Sequence, residues 1–200
     1  MSNLELNKGD NFIWLIDRSR SMAIADCGPQ QNIPRIEHIK ETVKSFIHVA
    51  SKFDTDGADV TTFGAKVTPI GKGVTPENAA TLIDAIQADE GSTDTAAAIR
   101  SAYQIHKDGG YKQSVAFIAT DGEPNDEDSV FREIARITQE LKDEHEFALS
   151  FLTVGKRSDG LAAFLTKLDD DVPGAKYDIV DVKALDEVDF ATAFDGALHD

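Results

Sequence analysis

Asn11-Phe12-Ile13-Trp14-Leu15-Ile16-Asp17 is apolar at five consecutive positions and then stops on a carboxylate. So short a run, apolar toward both sides, belongs in the middle of a sheet that is covered on both faces. Gln113–Thr120 (QSVAFIAT) has the same character. Between and beyond these runs the apolar period lengthens to that of helices. Pro34–Phe53 places Ile36, Ile39, Val43, Phe46, Ile47, Ala50 and Phe53 on one face. Thr75-Pro76 opens a helix with a hydroxyl cap and proline at its first position. Further helices begin near Thr95, follow Thr120, and cover Leu161–Leu168. Strands are read at Ala58–Phe63, Phe147–Val154 and Tyr177–Val180, with a short returning strand at Lys66–Ile70. A last helix holds Phe190, Phe194, Ala197 and Leu198. The order β-α-β-β-α-α-β-α-β-α-β-α predicts an α/β, doubly wound, Rossmann-like fold. Its sheet is expected to be six-stranded and mostly parallel, with one short antiparallel edge strand and helices on both faces. Residues 1–200 read as one domain with its core at about 11–198.

Ligands of such folds bind beyond the carboxyl ends of the strands. Three polar elements are read there. Asp17-Arg18-Ser19-Arg20-Ser21 forms D-x-S-x-S after the first strand. Gly91-Ser92-Thr93-Asp94-Thr95 precedes a helix, and Thr120-Asp121-Gly122 closes the QSVAFIAT strand. Singly, such residues are ordinary turns and caps. Together, and in this order, they resemble the von Willebrand factor A domain family. Its metal-ion-dependent adhesion site uses D-x-S-x-S, a threonine from a T-x-T loop and an aspartate from a T-D-G turn. The resemblance spans about 11–198. It implies that Asp17, Ser19, Ser21, Thr93 and Asp121 hold a metal ion, with Thr95 starting the following helix. It implies Mg²⁺, with Mn²⁺ or Ca²⁺ as substitutes, and a non-enzymatic module whose protein partner presents an Asp or Glu carboxylate to the ion. Arg20 stands where many members carry glycine. Arg20 and Arg18 are expected to flank the ion and help select an acidic partner. Stand-alone bacterial members, including tellurium-resistance-type ones, are similar in length.

The residue chemistry agrees with that reading. Two carboxylates and three hydroxyls are hard oxygen donors, which suit Mg²⁺, Mn²⁺ or Ca²⁺ better than zinc. Neutral hydroxyls leave the ion under-neutralised, so it stays attractive to one more anionic oxygen. Ser19 and Ser21, two apart, are expected to point the same way along extended chain.

Charge narrows the partners. Lys plus Arg is 20 and Asp plus Glu is 36, a net of −16. Nucleic acid and anionic membrane are therefore excluded as general partners, and a self-repelling monomer is expected. Cys27 is the sole cysteine, so no disulfide framework exists within the chain. With no apolar leader after Met1, the expected compartment is the cytoplasm. Cys27 falls in the loop Ala23–Ile33 and reads as an incidental thiol. His38, His48, His106, His145 and His199 are scattered and read as surface or half-buried. Asp121–Arg132 is no EF-hand, because Asp126 and Arg132 replace its glycine and glutamate. Asp169-Asp170-Asp171 reads as a solvated turn after a helix. Two alternatives remain. A Mg²⁺-dependent phosphatase would resemble D-x-D-x-T, but Ser19 replaces its second aspartate. A secreted adhesin would need a route of export.

Overall fold

In the computed structural model, every side chain of β1 (Asn11–Asp17) is buried. Phe12, Trp14 and Ile16 point into one core, and Ile13 and Leu15 into the other. The structure describes residues 10–52, 56–111, 113–122, 124–156, 159–170 and 172–190. The other elements are β2 (Ala25–Cys27), β3 (Ile33–Pro34), α1 (Arg35–Ala50), β4 (Ala58–Phe63) and β5 (Val67–Val74). They continue with α2 (Pro76–Ile83), α3 (Thr95–Gly109), β6 (Ser114–Thr120), α4 (Glu127–Glu140), β7 (Phe147–Thr153), α5 (Asp159–Asp170) and β8 (Val180–Ala184). The main sheet has the order β5-β4-β1-β6-β7-β8. Only β5 runs antiparallel to its neighbour.

The helices divide between the two faces by their apolar stripes. Ile39, Val43 and Phe46 of α1 and Ile83 of α2 cover Phe12, Trp14 and Phe117. Ile99 and Ala102 of α3, Ile134 and Ile137 of α4, and Leu165 of α5 cover Ile13, Leu15 and Ile118. Asp94 caps α3 by accepting from the Ala97 amide at 3.0 Å, and Gly110 ends it at φ +64°. Among the described residues, no helix is long and apolar enough to cross a membrane.

Several boundaries differ from the sequence reading, each for a physical reason. β5 is not short: it runs eight residues through Pro69, Gly71 and Gly73, which break the apolar pattern. An edge strand tolerates them because one of its sides needs no partner, and the β4–β5 register is irregular there. The last strand is Val180–Ala184 rather than Tyr177–Val180, because an edge strand alternates, as Val180, Val182 and Ala184 do with Asp181 and Lys183. The Ala23–Ile33 loop contains β2, which pairs with β3 as a small hairpin. Cys27 lies on it, buried, with its thiol pushed upward by burial and by Asp26. α1 stops at Ala50. Asp169 lies inside α5, and its carboxylate accepts the Val182 amide at 2.9 Å. Phe53, Asp171, Phe194, Ala197, Leu198 and His199 lie outside the described residues.

His106 corrects a second expectation: it is buried, 3% exposed, with Nδ1 2.8 Å from the Ser114 hydroxyl. Burial pushes its pKa below the ordinary 6.5, outweighing Glu146 at 3.8 Å, which pulls upward. The folded chain therefore takes up a proton less readily than the unfolded chain, so this group's contribution to stability is present above pH 6.5 and lost as pH falls. His106→Gln is expected to lose less stability than wild type between about pH 7.5 and pH 5.5. Urea unfolding at the two pH values measures the difference; equal losses would refute it.

Candidate metal centre

β1 is the switch point of the sheet. The chain winds from β1 to β4 on one side, then crosses back to β6 on the other. In open α/β sheets, ligands bind beyond the carboxyl ends of the strands at such a point, here β1 and β6. Ile16 pairs with Ala119, which brings the next residues, Asp17 and Thr120, side by side. Thr120 Oγ1 donates to Asp17 Oδ2 at 2.7 Å. The Ser19 amide donates to Asp17 Oδ1, also at 2.7 Å. Asp17 is completely buried. Burial pushes its carboxyl up to about 6; the Thr120 hydroxyl and Ser19 amide oppose this, and the Asp121 charge adds to it.

After Asp17 the chain does not stay extended. Arg20–Ala23 forms a 3₁₀ turn anchored by the buried Met22, and this turn brings Ser21 back toward Ser19. The two serine oxygens lie 3.0 Å apart, and Ser21 Oγ donates to Asp121 Oδ1 at 2.9 Å. The serines thus converge through a turn, not through strand alternation.

Thr93 reaches the site on a loop zipped to the first one. Arg20 N donates to Glu90 O at 3.0 Å, and Glu90 N donates to Arg18 O at 3.1 Å. The close approach requires Gly64, where an added Cβ would sit 2.5 Å from the Glu90 Cβ. Asn125 fixes the other side. Its side-chain oxygen accepts from Thr93 N at 3.1 Å, and its own amide donates to Thr93 O at 3.0 Å. Thr93 is buried, and its hydroxyl makes no hydrogen bond among the described residues.

Three of the proposed donor oxygens, from Ser19, Ser21 and Asp121, lie close enough together to share a small divalent ion. Neighbouring corners of an octahedron with bonds of about 2.0–2.1 Å lie about 2.9–3.0 Å apart. The Ser19–Ser21 and Ser21–Asp121 separations have this spacing. Among the described residues, no three His, Cys, Asp or Glu side chains gather around a common point. An ion held here would therefore depend on the hydroxyls.

The two arginines of the motif differ. Arg18 donates from Nε and Nη2 to Asp89, so it is paired rather than facing a partner. Arg20 is exposed. A third arginine went unnoticed in the sequence. Arg35 is 7% exposed and donates from Nη1 to Asp121 Oδ2 at 2.6 Å. Its Nε and Nη2 grip Asp26 Oδ1 and Oδ2 at 2.8 and 2.6 Å, holding that carboxyl down at about 2. Asp26 also accepts from the Lys156 amide at 3.3 Å. Gly155, at φ +74°, makes room: an added Cβ would lie 2.2 Å from Arg35 Nε. A signal for Arg35 was present. A cation in the first turn of a helix opposes the helix dipole and calls for a nearby carboxylate.

Comparison with known proteins places this geometry. No curated protein matches the chain. The manganese-loaded TRAP protein of Plasmodium vivax is 14% identical with a TM-score of 0.65, covering 96% of this chain and 75% of that one. The mussel byssus proximal thread matrix protein 1, described with a zinc-occupied MIDAS motif, is 17% identical with a TM-score of 0.61, covering 97% and 48%. A von Willebrand factor type A structure from Catenulispora acidiphila gives 17%, 0.61, 94% and 41%. At these identities the likeness is one of fold. The chain spans three quarters of the first structure and less than half of the other two. Domains of this fold family are generally interaction modules rather than enzymes, and metal-loaded examples occur among the neighbours. The sequence profile of the von Willebrand factor type A domain matches residues 11–189, and the chain belongs to that family.

Proposed function

We propose that this chain is a cytoplasmic, non-enzymatic module that binds a protein partner through a divalent ion, Mg²⁺ in the first place. Asp17, Ser19, Ser21, Thr93 and Asp121 would hold the ion. The observation that carries the reading is the convergence of the hard oxygens of Ser19, Ser21 and Asp121, linked by hydrogen bonds of 3.0 and 2.9 Å, at the switch point of the sheet. When bound, the ion supplies Lewis acidity toward one further carboxylate oxygen, from an Asp or Glu of the partner. The chain's own residues do the rest. Thr120 and the Ser19 amide occupy the two oxygens of Asp17, which keeps that carboxylate still and its charge beside the site. Glu90 holds the Thr93 loop against the serine loop, and Asn125 ties Thr93 to the segment after β6. Arg20 is exposed and forms no ion pair among the described residues, so it can meet an acidic surface, while Arg18, paired with Asp89, steadies the loop. The cytoplasmic reading rests on Cys27, a sole and buried thiol.

The immobilised chain is expected to retain its partner in Mg²⁺ and release it in EDTA. Mn²⁺ should substitute, and Asp121→Ala should fail to retain the partner in either condition. Retention unaffected by EDTA and by Asp121→Ala overturns the reading.

A further inference from the structure

The Arg35 guanidinium is a buried cation one hydrogen bond from Asp121. It begins α1, reaches Asp121 with one nitrogen and Asp26 with two, and passes under the only kind of residue, glycine, that leaves it space. It joins three segments: the β2–β3 hairpin, the end of β6 and the loop after β7. Its contact to Asp121 uses Oδ2, while Oδ1 is left to Ser21.

We infer that Arg35 is an internal counter-cation of the metal centre, held on Asp121 Oδ2, where it competes with the ion for the charge of Asp121. This rests on the metal reading above. The clamp occupies Asp121 Oδ2, so Asp121 would meet the ion through Oδ1, the oxygen it shares with Ser21. The same positive charge, one hydrogen bond from a ligand carboxylate, lowers the affinity of the site.

The two effects of Arg35 oppose each other, and magnitude decides between them. Without Arg35, Asp121 keeps its hydrogen bond from Ser21 and its place at the end of β6, where Val154 N donates to Thr120 O at 3.1 Å. Little aim is lost. What disappears is a full positive charge beside the ion, and Asp26 is left as an added, unpaired negative charge. Repulsion between two cations that share one carboxylate outweighs the loss of one anchoring hydrogen bond. Arg35→Gln is therefore expected to bind Mg²⁺ about tenfold or more tightly than wild type. Asp26→Asn should do the reverse. It removes a negative charge and leaves the guanidinium wholly to Asp121, so Mg²⁺ binding weakens.

The test is calorimetric titration of Mg²⁺, alone, into the full chain, with melting in EDTA and in Mg²⁺ alongside. Arg35→Gln should melt below wild type in EDTA and rise further than wild type on adding Mg²⁺; Arg35→Lys, keeping the charge, should stay near wild-type affinity. A purely structural clamp would make Arg35→Gln and Asp26→Asn shift affinity in the same direction, and that result overturns the inference. If Arg35→Gln does not fold, Asp26→Asn decides by itself: unchanged or tighter Mg²⁺ binding refutes the inference. Wild type that takes up no Mg²⁺ sinks the metal reading as well. Wild-type binding that is lost in Asp121→Ala, with the two clamp variants moving together, sinks this inference alone.

Discussion

Asp17→Asn is expected to weaken Mg²⁺ binding by at least about a hundredfold while leaving the chain folded and, in EDTA, more stable than wild type. The substitution keeps the shape. The asparagine oxygen still accepts from the Ser19 amide, and its amide can donate to the Thr120 hydroxyl, which accepts as readily as it donates. What it removes is a negative charge buried in the floor of the site. For the ion, that is one of two carboxylates among five donors. For the fold, the sign is opposite. Burial and the Asp121 charge hold the Asp17 carboxyl up at about 6, above its ordinary 3.8. Its favourable contribution is thus present below the ordinary value and lost as pH rises through about 6. At neutral pH the buried charge destabilises the metal-free chain by about 1–3 kcal/mol. A neutral isostere relieves that. Melting in EDTA and in Mg²⁺ separates the two effects: the variant should melt higher than wild type in the first and gain almost nothing in the second. A variant that melts lower in EDTA, or binds Mg²⁺ as wild type does, contradicts this account.

Phe117→Ala is expected to destabilise the chain by about 3–5 kcal/mol, the largest effect on folding among these variants. Phe117 lies on β6 and is completely buried. Its ring stacks on Trp14 at 4.8 Å between centroids and meets Phe46 edge-on at 5.0 Å and Phe190 at 5.8 Å. Truncation leaves a void bounded by β1, β6 and α1. Those elements cannot close on it, because Trp14 and Phe46 are held by contacts of their own. Aromatic pairs at these separations add to the loss of buried area. Against a total of about 5–15 kcal/mol, this is a large share of the stability. For a chain of this length it amounts to a fall in Tm of roughly 10 °C. Phe117→Leu should cost clearly less, because it refills most of the volume. Equal unfolding midpoints for wild type and Phe117→Ala would show that the cluster is not the keystone of that face.

The fold was legible because its central strands declare themselves locally. NFIWLID and QSVAFIAT, apolar through their middles, have no place except between two helical layers, and the strands they form, β1 and β6, have every side chain buried. The stripe on α1 and the cap before α3 are likewise local facts of spacing. The edges were less legible. β5 and β8 face solvent on one side, so their residues satisfy weaker demands, and Pro69, Gly71 and the Asp181–Lys183 alternation obscure the signal. Within the candidate site, D-x-S-x-S and T-D-G mark their residues because short-range geometry needs those types. Which contacts those residues make was another matter. Arg18 and Arg20 look equivalent in sequence, yet Asp89, 71 positions away, claims one and leaves the other exposed. The spacing of Ser19 and Ser21 suggested alternation along extended chain, and a 3₁₀ turn does the work instead.

By itself, then, the sequence determined the kind and order of the elements and the layered α/β plan, and it marked the five residues proposed as oxygen donors. Each follows from local periodicity, from turn chemistry, or from a family pattern written in contiguous residues. Only the tertiary structure decided what surrounds those donors. The parallel β1–β6 register seats Thr120 on Asp17, and α1 delivers Arg35 onto Asp121 across 86 positions of chain. The physical reason is that a buried charge must find its partner wherever packing brings one within reach. For Arg35 that partner was set by how a helix, a hairpin and two strand ends meet, which no spacing along the chain records.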